Sequence, residues 1–478
     1  MTFNFYSVLG THTYLKHELW KKYKKISVKD EVTILDALSA TGLRSIRYSL
    51  ECTECSLPIK VIANDISDSA IEQIKTNIEE NQLKNVTVNH DDASMLMYKR
   101  KASNDRLTII DLDPYGSPAP FLDSTIQAIV DGGLLMVTCT DMAVLAGNHG
   151  EKCYALYGSF PVKAKFCHEM ALRILLHSVQ SHATRYGRYI VPILSLSVDF
   201  YIRIFLQVFT SPLEARKSTS KQSYIYICNT CESFELQPMT ENRSKDNAAI
   251  FAPSKVLFDS KCKLCSHNIQ IGGPIWSAPI HDIEFVNLMK NELESRENYF
   301  GTHRRISGML ELIGEELNDI PLYYQLDRLC SLACSACPPI RLFRSALLNA
   351  GYRVSYAHAL KNSIKTNAPN EFLWAIIKRF IVSRDEKPKE LCRAYSILVK
   401  DFPFDVSLEN ADNAEPESKN KRLLRYQINP ENNWGPKARP GVKEDYDKRE
   451  KNQGKYSVYK RIKIDNQDNQ DKTIQKKD

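Results

Sequence analysis

Five short, apolar, β-branched segments leave this chain few folds to choose from. Residues 32–38, 59–65, 86–88, 107–110 and 134–139 repeat at the spacing of βα units. Between them the apolar period changes. Ile71, Ile74 and Ile78 fall at i, i+3 and i+7, and Met170, Ile174 and Leu175 keep helical spacing over residues 165–176. Unbroken apolar strands are buried on both faces, and strands alternating with helices build a parallel sheet covered by those helices. The expected fold class is α/β, with a doubly wound, Rossmann-like sheet over residues 1–221. At 478 residues the chain has room for further domains.

In such sheets ligands sit outside the carboxyl ends of the strands. Here Ser39, Ala40, Thr41 and Gly42 follow the first strand, and a helix is expected from about Leu43. Small residues at that point let the backbone approach a ligand, and helix N-terminal amides face its polar groups. The G-x-G-x-x-G of dinucleotide folds is absent. The second strand ends in Asn64-Asp65, where a carboxylate accepts ribose hydroxyls. The third ends in Asp91-Asp92, where one of the two could hold an adenine amino group. The fourth runs into IIDLDPYGSPAP, which displays Asp111, Asp113 and Tyr115 at the same edge. Any one of these acids is equally a helix cap or a turn residue. The same habit at three successive strand ends points to a ligand site.

Cysteine pairs take over from Gln222. Cys228-x2-Cys231 and Cys262-x2-Cys265 have the pattern of a tetrahedral four-cysteine zinc site, structural because no position is open. A metal-free thiol cluster is the alternative. Residues 237–245 read as an inserted polar loop, tolerated because a metal joins the ends. Cys330, Cys334 and Cys337 have a spacing that can hold an iron–sulfur cluster, but they lie in a late helical region far from the strand-end site. Packing is the expectation for them, for Cys52 and Cys55, and for His168 and His177 on an apolar helix pattern. The expected division is a zinc-knuckle segment over 222–290, a mostly helical part over 291–400, and a basic tail over 401–478. Arg304, Arg305 and the IKTNAPN stretch offer basic groups for phosphates, or simply a solvated face.

No apolar run approaches the roughly 20 residues of a membrane span. Residues 189–209 carry Asp199 and Arg203 and read as sheet strands. Thirteen cysteines, without a signal-peptide pattern, suggest a reducing, intracellular compartment. The net charge of +7 is a property of the tail, where residues 419–478 hold 17 Lys or Arg against 9 Asp or Glu. Such a segment cannot bury a core; it is expected to be disordered in isolation and to contact a polyanion, or merely to solubilise.

DALSATGLRSIRYSLE, ANDIS, DLDPYGSPAPFLDS, CTDMAVLAGN, CHEMALRILL and NSIKTNAPN resemble the tRNA (guanine-26, N2)-dimethyltransferase family, over about residues 34–374, with an echo in NPENNWGPKARP. The resemblance implies a class I S-adenosylmethionine-dependent methyltransferase fold, a second domain that helps seat tRNA, and methyl transfer to a guanine exocyclic nitrogen. It implies that Arg44 faces the cofactor, Asp65 the ribose, and Asp92 with Ala93 the adenine. That nitrogen is a poor nucleophile until an acceptor reorients its lone pair. Asp113 is the expected acceptor and Tyr115 the ring that stacks on the base. Asp111 is expected to cap a turn, with service on the cofactor side as the alternative. The family pattern opens differently from FYSVLG and LKHEL, and His17 stands where a cofactor-contacting arginine is expected, a weaker partner for a carboxylate. Phe5 or Tyr6 would supply an aromatic wall. The alternative is a non-catalytic tRNA-binding or remodelling protein on the same fold. A monomer is expected, with the nucleus as the leading compartment and the cytoplasm or an organelle as alternatives.

Overall fold

The computed structural model describes residues 2–17, 31–52, 54, 56–243, 251–257, 259–296 and 299–426. The tail expected over 401–478 is corrected for residues 401–426, which pack against the body through Phe404 on Phe372, Arg344 to the Ala414 carbonyl, the Ser418 N–H to Glu315 and the Tyr426 hydroxyl to the Ala357 carbonyl. The expectations for residues 427–478, Trp434 included, lie outside the described residues.

The main sheet has seven strands, β1 (Val32–Asp36), β2 (Ile59–Asp65), β3 (Val86–His90), β4 (Leu107–Leu112), β5 (Ile129–Cys139), β6 (Arg188–Val198) and β7 (Tyr201–Thr210). They lie in the order β3-β2-β1-β4-β5-β7-β6. The first five are parallel, and β7 runs antiparallel between β5 and β6. The chain steps outward from β1 to β3 and returns to lay β4 beside β1, so the crevice for a ligand opens at the carboxyl ends of β1 and β4.

Every residue of β1 and β4 is buried, as unbroken apolar strands require. Successive residues serve opposite faces. Leu35, Ile110, Leu135 and Val137 pack with Met170, Ile174 and Leu175 of the helix Cys167–Thr184. Ile34, Ile109, Leu134 and Met136 pack with Tyr6 and Leu9 of the helix Thr2–Lys16, and with Phe285, Met289 and Leu310 from later helices. Each such side chain contributes roughly 1.5–3 kcal/mol when fully buried. Residues 189–209 form the β6–β7 hairpin as expected, with Asp199 at a φ of 54° in its turn.

Beyond the sheet, β8 (Gln222–Cys228), β9 (Phe234–Pro238) and β12 (Ile269–Trp276) make a three-stranded sheet in the order β12-β8-β9, and β10 (Thr240–Asn242) pairs with β11 (Phe251–Pro253). The polar loop expected over 237–245 is therefore corrected. Gln237 and Pro238 extend β9, and Thr240 to Asn242 form β10, because cross-strand pairing rather than side-chain polarity decides there.

The late region is less helical than expected. Among helices such as Ile283–Ser295, His303–Gly314 and Asn370–Val382 lies a third sheet of β13 (Tyr324–Gln325), β14 (Val354–Ala357) and β15 (Leu360–Thr366). NAGYRVSYAHA supplies β14, and IKTNAPN supplies the end of β15. The helix Ile283–Ser295 runs straight through residue 290 and packs Phe285, Val286 and Met289 onto the main sheet.

Candidate active site at the carboxyl edge of the sheet

Asp36 ends β1 and is the register partner of Asp111 on β4, so two carboxylates sit side by side at the crevice. Both are fully buried. Arg44, in the first turn of the helix Leu43–Glu51, bridges them. Its guanidinium donates to Asp36 Oδ1 at 2.8 Å and to the Leu38 carbonyl at 3.0 Å, and its Nε lies 3.5 Å from Asp111 Oδ2. Arg203 on β7 donates to Asp111 Oδ1 at 2.8 Å, and Tyr48 donates to Asp111 Oδ2. Burial alone would raise the Asp111 carboxyl, but the charges of Arg203 and Arg44 and the Tyr48 hydroxyl outweigh it and hold the group below its usual range. Asp111 is thus not the turn cap expected. Strand alternation turns its side chain inward, where two arginines compensate it.

Asp113, two residues on, reaches the cleft. Its side chain is 13% exposed, and Arg44 donates to its Oδ2. Among the described residues no hydrogen-bond partner meets Oδ1. Pro114 is buried, whereas Tyr115 is 91% exposed and forms the outermost point of the loop.

The cofactor-type residues gather along the same edge. Ala40 takes a φ of 50° and Gly42 one of 76°; at Gly42 a Cβ would come within 3.3 Å of Ile74. Ser39 donates to the Asp36 carbonyl at 2.9 Å. Asp65 accepts the Ala40 N–H on Oδ2 at 2.9 Å and the Ser67 N–H on Oδ1 at 3.0 Å, which ties the loop after β1 to the end of β2. Asp92 caps the helix Ala93–Ala102 by accepting the Met95 N–H on Oδ1 at 3.0 Å, and Ala93 is buried behind it. Two neighbours missed in the sequence, Ile66 and Met95, are apolar and uncovered there. Their signal was an apolar residue directly following, or capped by, a strand-end acid.

The amino-terminal residues behave differently. His17 Nε2 lies 3.0 Å from Glu292 Oε1, and Lys16 and His12 crowd the other oxygen of the same carboxylate. Tyr6 is buried in the core, and Phe5 packs edge-on to Phe300 with the Arg47 guanidinium 4.4 Å above its ring.

Cys228, at the end of β8, joins Cys231, Cys262 and Cys265 in a buried cluster whose four sulfurs all lie within 4.8 Å of one another. Cys228 and Cys265 are 3.3 Å apart and Cys231 and Cys262 3.7 Å, too far for disulfides. Four thiols so gathered suit one soft tetrahedral cation. A second group, His281, Glu316 and His358, is largely engaged within the protein, with His281 Nε2 buried without a hydrogen-bond partner among the described residues. Ser195 N–H donates to His281 Nδ1, Ser197 N–H to His358 Nε2, and the Lys365 ammonium lies 2.6 Å from Glu316. Cys330, Cys334 and Cys337 form no such group among the described residues. Lys365 itself is buried between Glu169 and Glu316, which corrects the expectation that the basic group of IKTNAPN meets phosphates.

No described helix is long and apolar enough to cross a membrane. A family model for N2,N2-dimethylguanosine tRNA methyltransferase matches residues 12–378. The tRNA (guanine(26)-N(2))-dimethyltransferase of Drosophila melanogaster is 46% identical over 431 residues, covering 87% of this chain and 73% of that protein. That of Homo sapiens is 44% identical over 423 residues, covering 86% of this chain but only 63% of the human protein, less than two thirds of its length. The solved structure of Trm1 from Pyrococcus horikoshii in complex with S-adenosyl-L-methionine superposes with a TM-score of 0.63 at 30% identity, covering 77% of this chain and 92% of that one. The chain belongs to the N2,N2-dimethylguanosine tRNA methyltransferase family.

Proposed function

We propose that this protein transfers one or two methyl groups from S-adenosylmethionine to the exocyclic N2 of guanine 26 in tRNA. The observation that carries the reading is the pairing of Asp113, fixed by Arg44 yet open on Oδ1, with the uncovered ring of Tyr115 two residues away. A solvated tyrosine at a loop tip is suited to stacking on a base drawn out of its helix. Asp113 Oδ1 would accept one N–H of the guanine amine, which frees the nitrogen lone pair for in-line attack and gives the released proton a first acceptor.

The edge residues fit the cofactor. The amides of Ser39, Ala40 and Gly42 are taken by Asn64, Asp65 and Ser39, so the turn serves by its small residues and close backbone approach. Asp65 retains lone pairs for ribose hydroxyls, and Asp92 Oδ2 is available for an adenine amine beside the uncovered Ile66 and Met95. When bound, S-adenosylmethionine supplies a sulfonium methyl that leaves without its electrons. Arg44 is committed to Asp36, Leu38 and Asp113, so its main work in this reading is to orient Asp113.

The four-cysteine cluster reads as a structural zinc site. Purified protein should carry about one zinc per chain, and Cys262→Ser should lose both the metal and the folded signal of the β8–β12 sheet. The residues of 291–400 are read as helping to seat tRNA.

A second reading, a tRNA-binding protein without turnover, is favoured only by His17, which Glu292 engages. Incubation with S-adenosylmethionine and a tRNA transcript carrying guanine or adenine at position 26, followed by mass spectrometry of nucleosides, separates the two. Methylated guanosine from the first transcript alone is expected. No product, together with no heat when folded protein is titrated with S-adenosylmethionine at millimolar concentration, would favour the second reading.

A further inference from the structure

The loop that carries Asp113 and Tyr115 is fastened at two points that no step of the transfer uses. At Gly116, Thr140, the residue just past β5, accepts the amide N–H on Oγ1 at 2.8 Å and donates its own N–H to the Gly116 carbonyl at 3.1 Å. At Ser117, Tyr157 donates its hydroxyl to Oγ at 2.7 Å from the end of the helix Gly150–Tyr157. The same phenol oxygen lies 3.2 Å from Cys139 Sγ at the end of β5, and Ser117 Oγ also takes the Ala119 N–H at 3.2 Å.

Pro114 and Pro118 are buried on either side, but packing does not hold the turn at Tyr115 and Gly116. Tyr115 stands in solvent, Gly116 has a φ of 87°, and a Cβ placed on it would meet nothing within 4 Å. Hydrogen bonds from Thr140, itself exposed just past the buried end of β5, and from the buried Tyr157 therefore define where the loop sits. Burial raises the Tyr157 phenol, which keeps it a donor.

We propose that Thr140 and Tyr157 are positioning residues for methyl transfer, holding the Asp-Pro-Tyr-Gly turn so that the Asp113 carboxylate and the Tyr115 ring are set before the base arrives. The proposal rests on the methyltransferase reading above. Displacement of a reacting group by about 1 Å can cost on the order of 100-fold in rate, whereas binding determinants elsewhere are untouched.

The test uses the full chain with S-adenosylmethionine and tRNA transcript, in the variants Thr140→Val, Thr140→Ser and Tyr157→Phe. Thr140→Val and Tyr157→Phe should each lower kcat roughly 10- to 100-fold. KM for tRNA, the affinity for S-adenosylmethionine and the melting temperature should stay close to wild type, and Thr140→Ser, which keeps the hydroxyl, should restore most of kcat. If Tyr157→Phe does not fold, the two Thr140 variants decide alone. Unchanged kcat in Thr140→Val, or a loss that Thr140→Ser does not rescue, overturns the proposal. Wild-type protein that methylates no tRNA overturns instead the reading on which it rests.

Discussion

Two buried ionic networks in this molecule are built from the same chemistry and end differently. Under the crevice, Asp36, Asp111, Arg44 and Arg203 form a chain of charges that terminates at Asp113, which opens to solvent. Behind the main sheet, Glu169, Arg173, Lys365, Glu316 and His358 form another, tying the helix Cys167–Thr184 to β15 and to the loop after β14, with every member buried. In both, burial alone would raise the carboxyls, and neighbouring cations overcome it to hold Asp111, Glu169 and Glu316 below their usual range. A perturbed carboxylate therefore does not mark a reactive site by itself. What separates the two networks is that one has a terminal oxygen facing the cleft.

Four experiments bear on that contrast. Replacing Lys365 with Met leaves Glu169 and Glu316 buried without their shared cation, so denaturant unfolding should show a loss of roughly 3–5 kcal/mol. The surviving folded enzyme should turn over normally; a loss of kcat with stability intact would show that the closed network also reaches the site. Asp113→Ala should do the reverse, lowering turnover by roughly 100-fold or more while the melting temperature and S-adenosylmethionine affinity hold. Full activity in that variant removes Asp113 from the mechanism.

The third experiment varies pH. His281 packs against His358, and burial first, then the nearby positive groups, keeps its pKa well below 6.5. The folded protein holds it neutral while the unfolded chain takes up a proton below about pH 6.5. Its contribution is thus complete above that pH and is lost as pH falls, with a slope of at most about 1.4 kcal/mol per pH unit for one proton. Glu316 and Glu169 act in the same direction below 4.5. His281→Asn should flatten the stability profile just below pH 6.5, and an unaltered profile would show that another group titrates there. The smallest effect concerns the tail. Removing residues 428–478, beyond the packed Tyr426, should leave S-adenosylmethionine affinity alone and flatten log affinity for tRNA against log salt by roughly 0.7 to 0.9 per lost phosphate contact. An identical slope would make the tail dispensable for RNA contact.

Much of the architecture was readable because it depends on neighbours in sequence. The period of β1 to β5, the small residues after β1, the acids at three strand ends and the two cysteine pairs are all local patterns, and the structure gathers them at one edge and in one cluster. Short β-strands were read less well. Val354–Ala357 and Thr240–Asn242 are too brief to show a period, and their partners supply the strand character.

Local order along the chain sets the parallel sheet, the edge at which a ligand must sit and the identity of the thiol set, since periodicity and spacing survive without knowledge of contacts. Long-range packing chooses which polar groups stay open. Asp111 and Asp113 differ by two positions in one motif, yet Arg203 from β7 and Tyr48 from a helix enclose the first, whereas the second keeps a free oxygen. Lys365 reads as a surface cation until Glu169 and Glu316, far away in the chain, close around it. The cost of burying a charge is settled by whichever partners the fold brings to it, and no local pattern encodes partners that lie a hundred residues away.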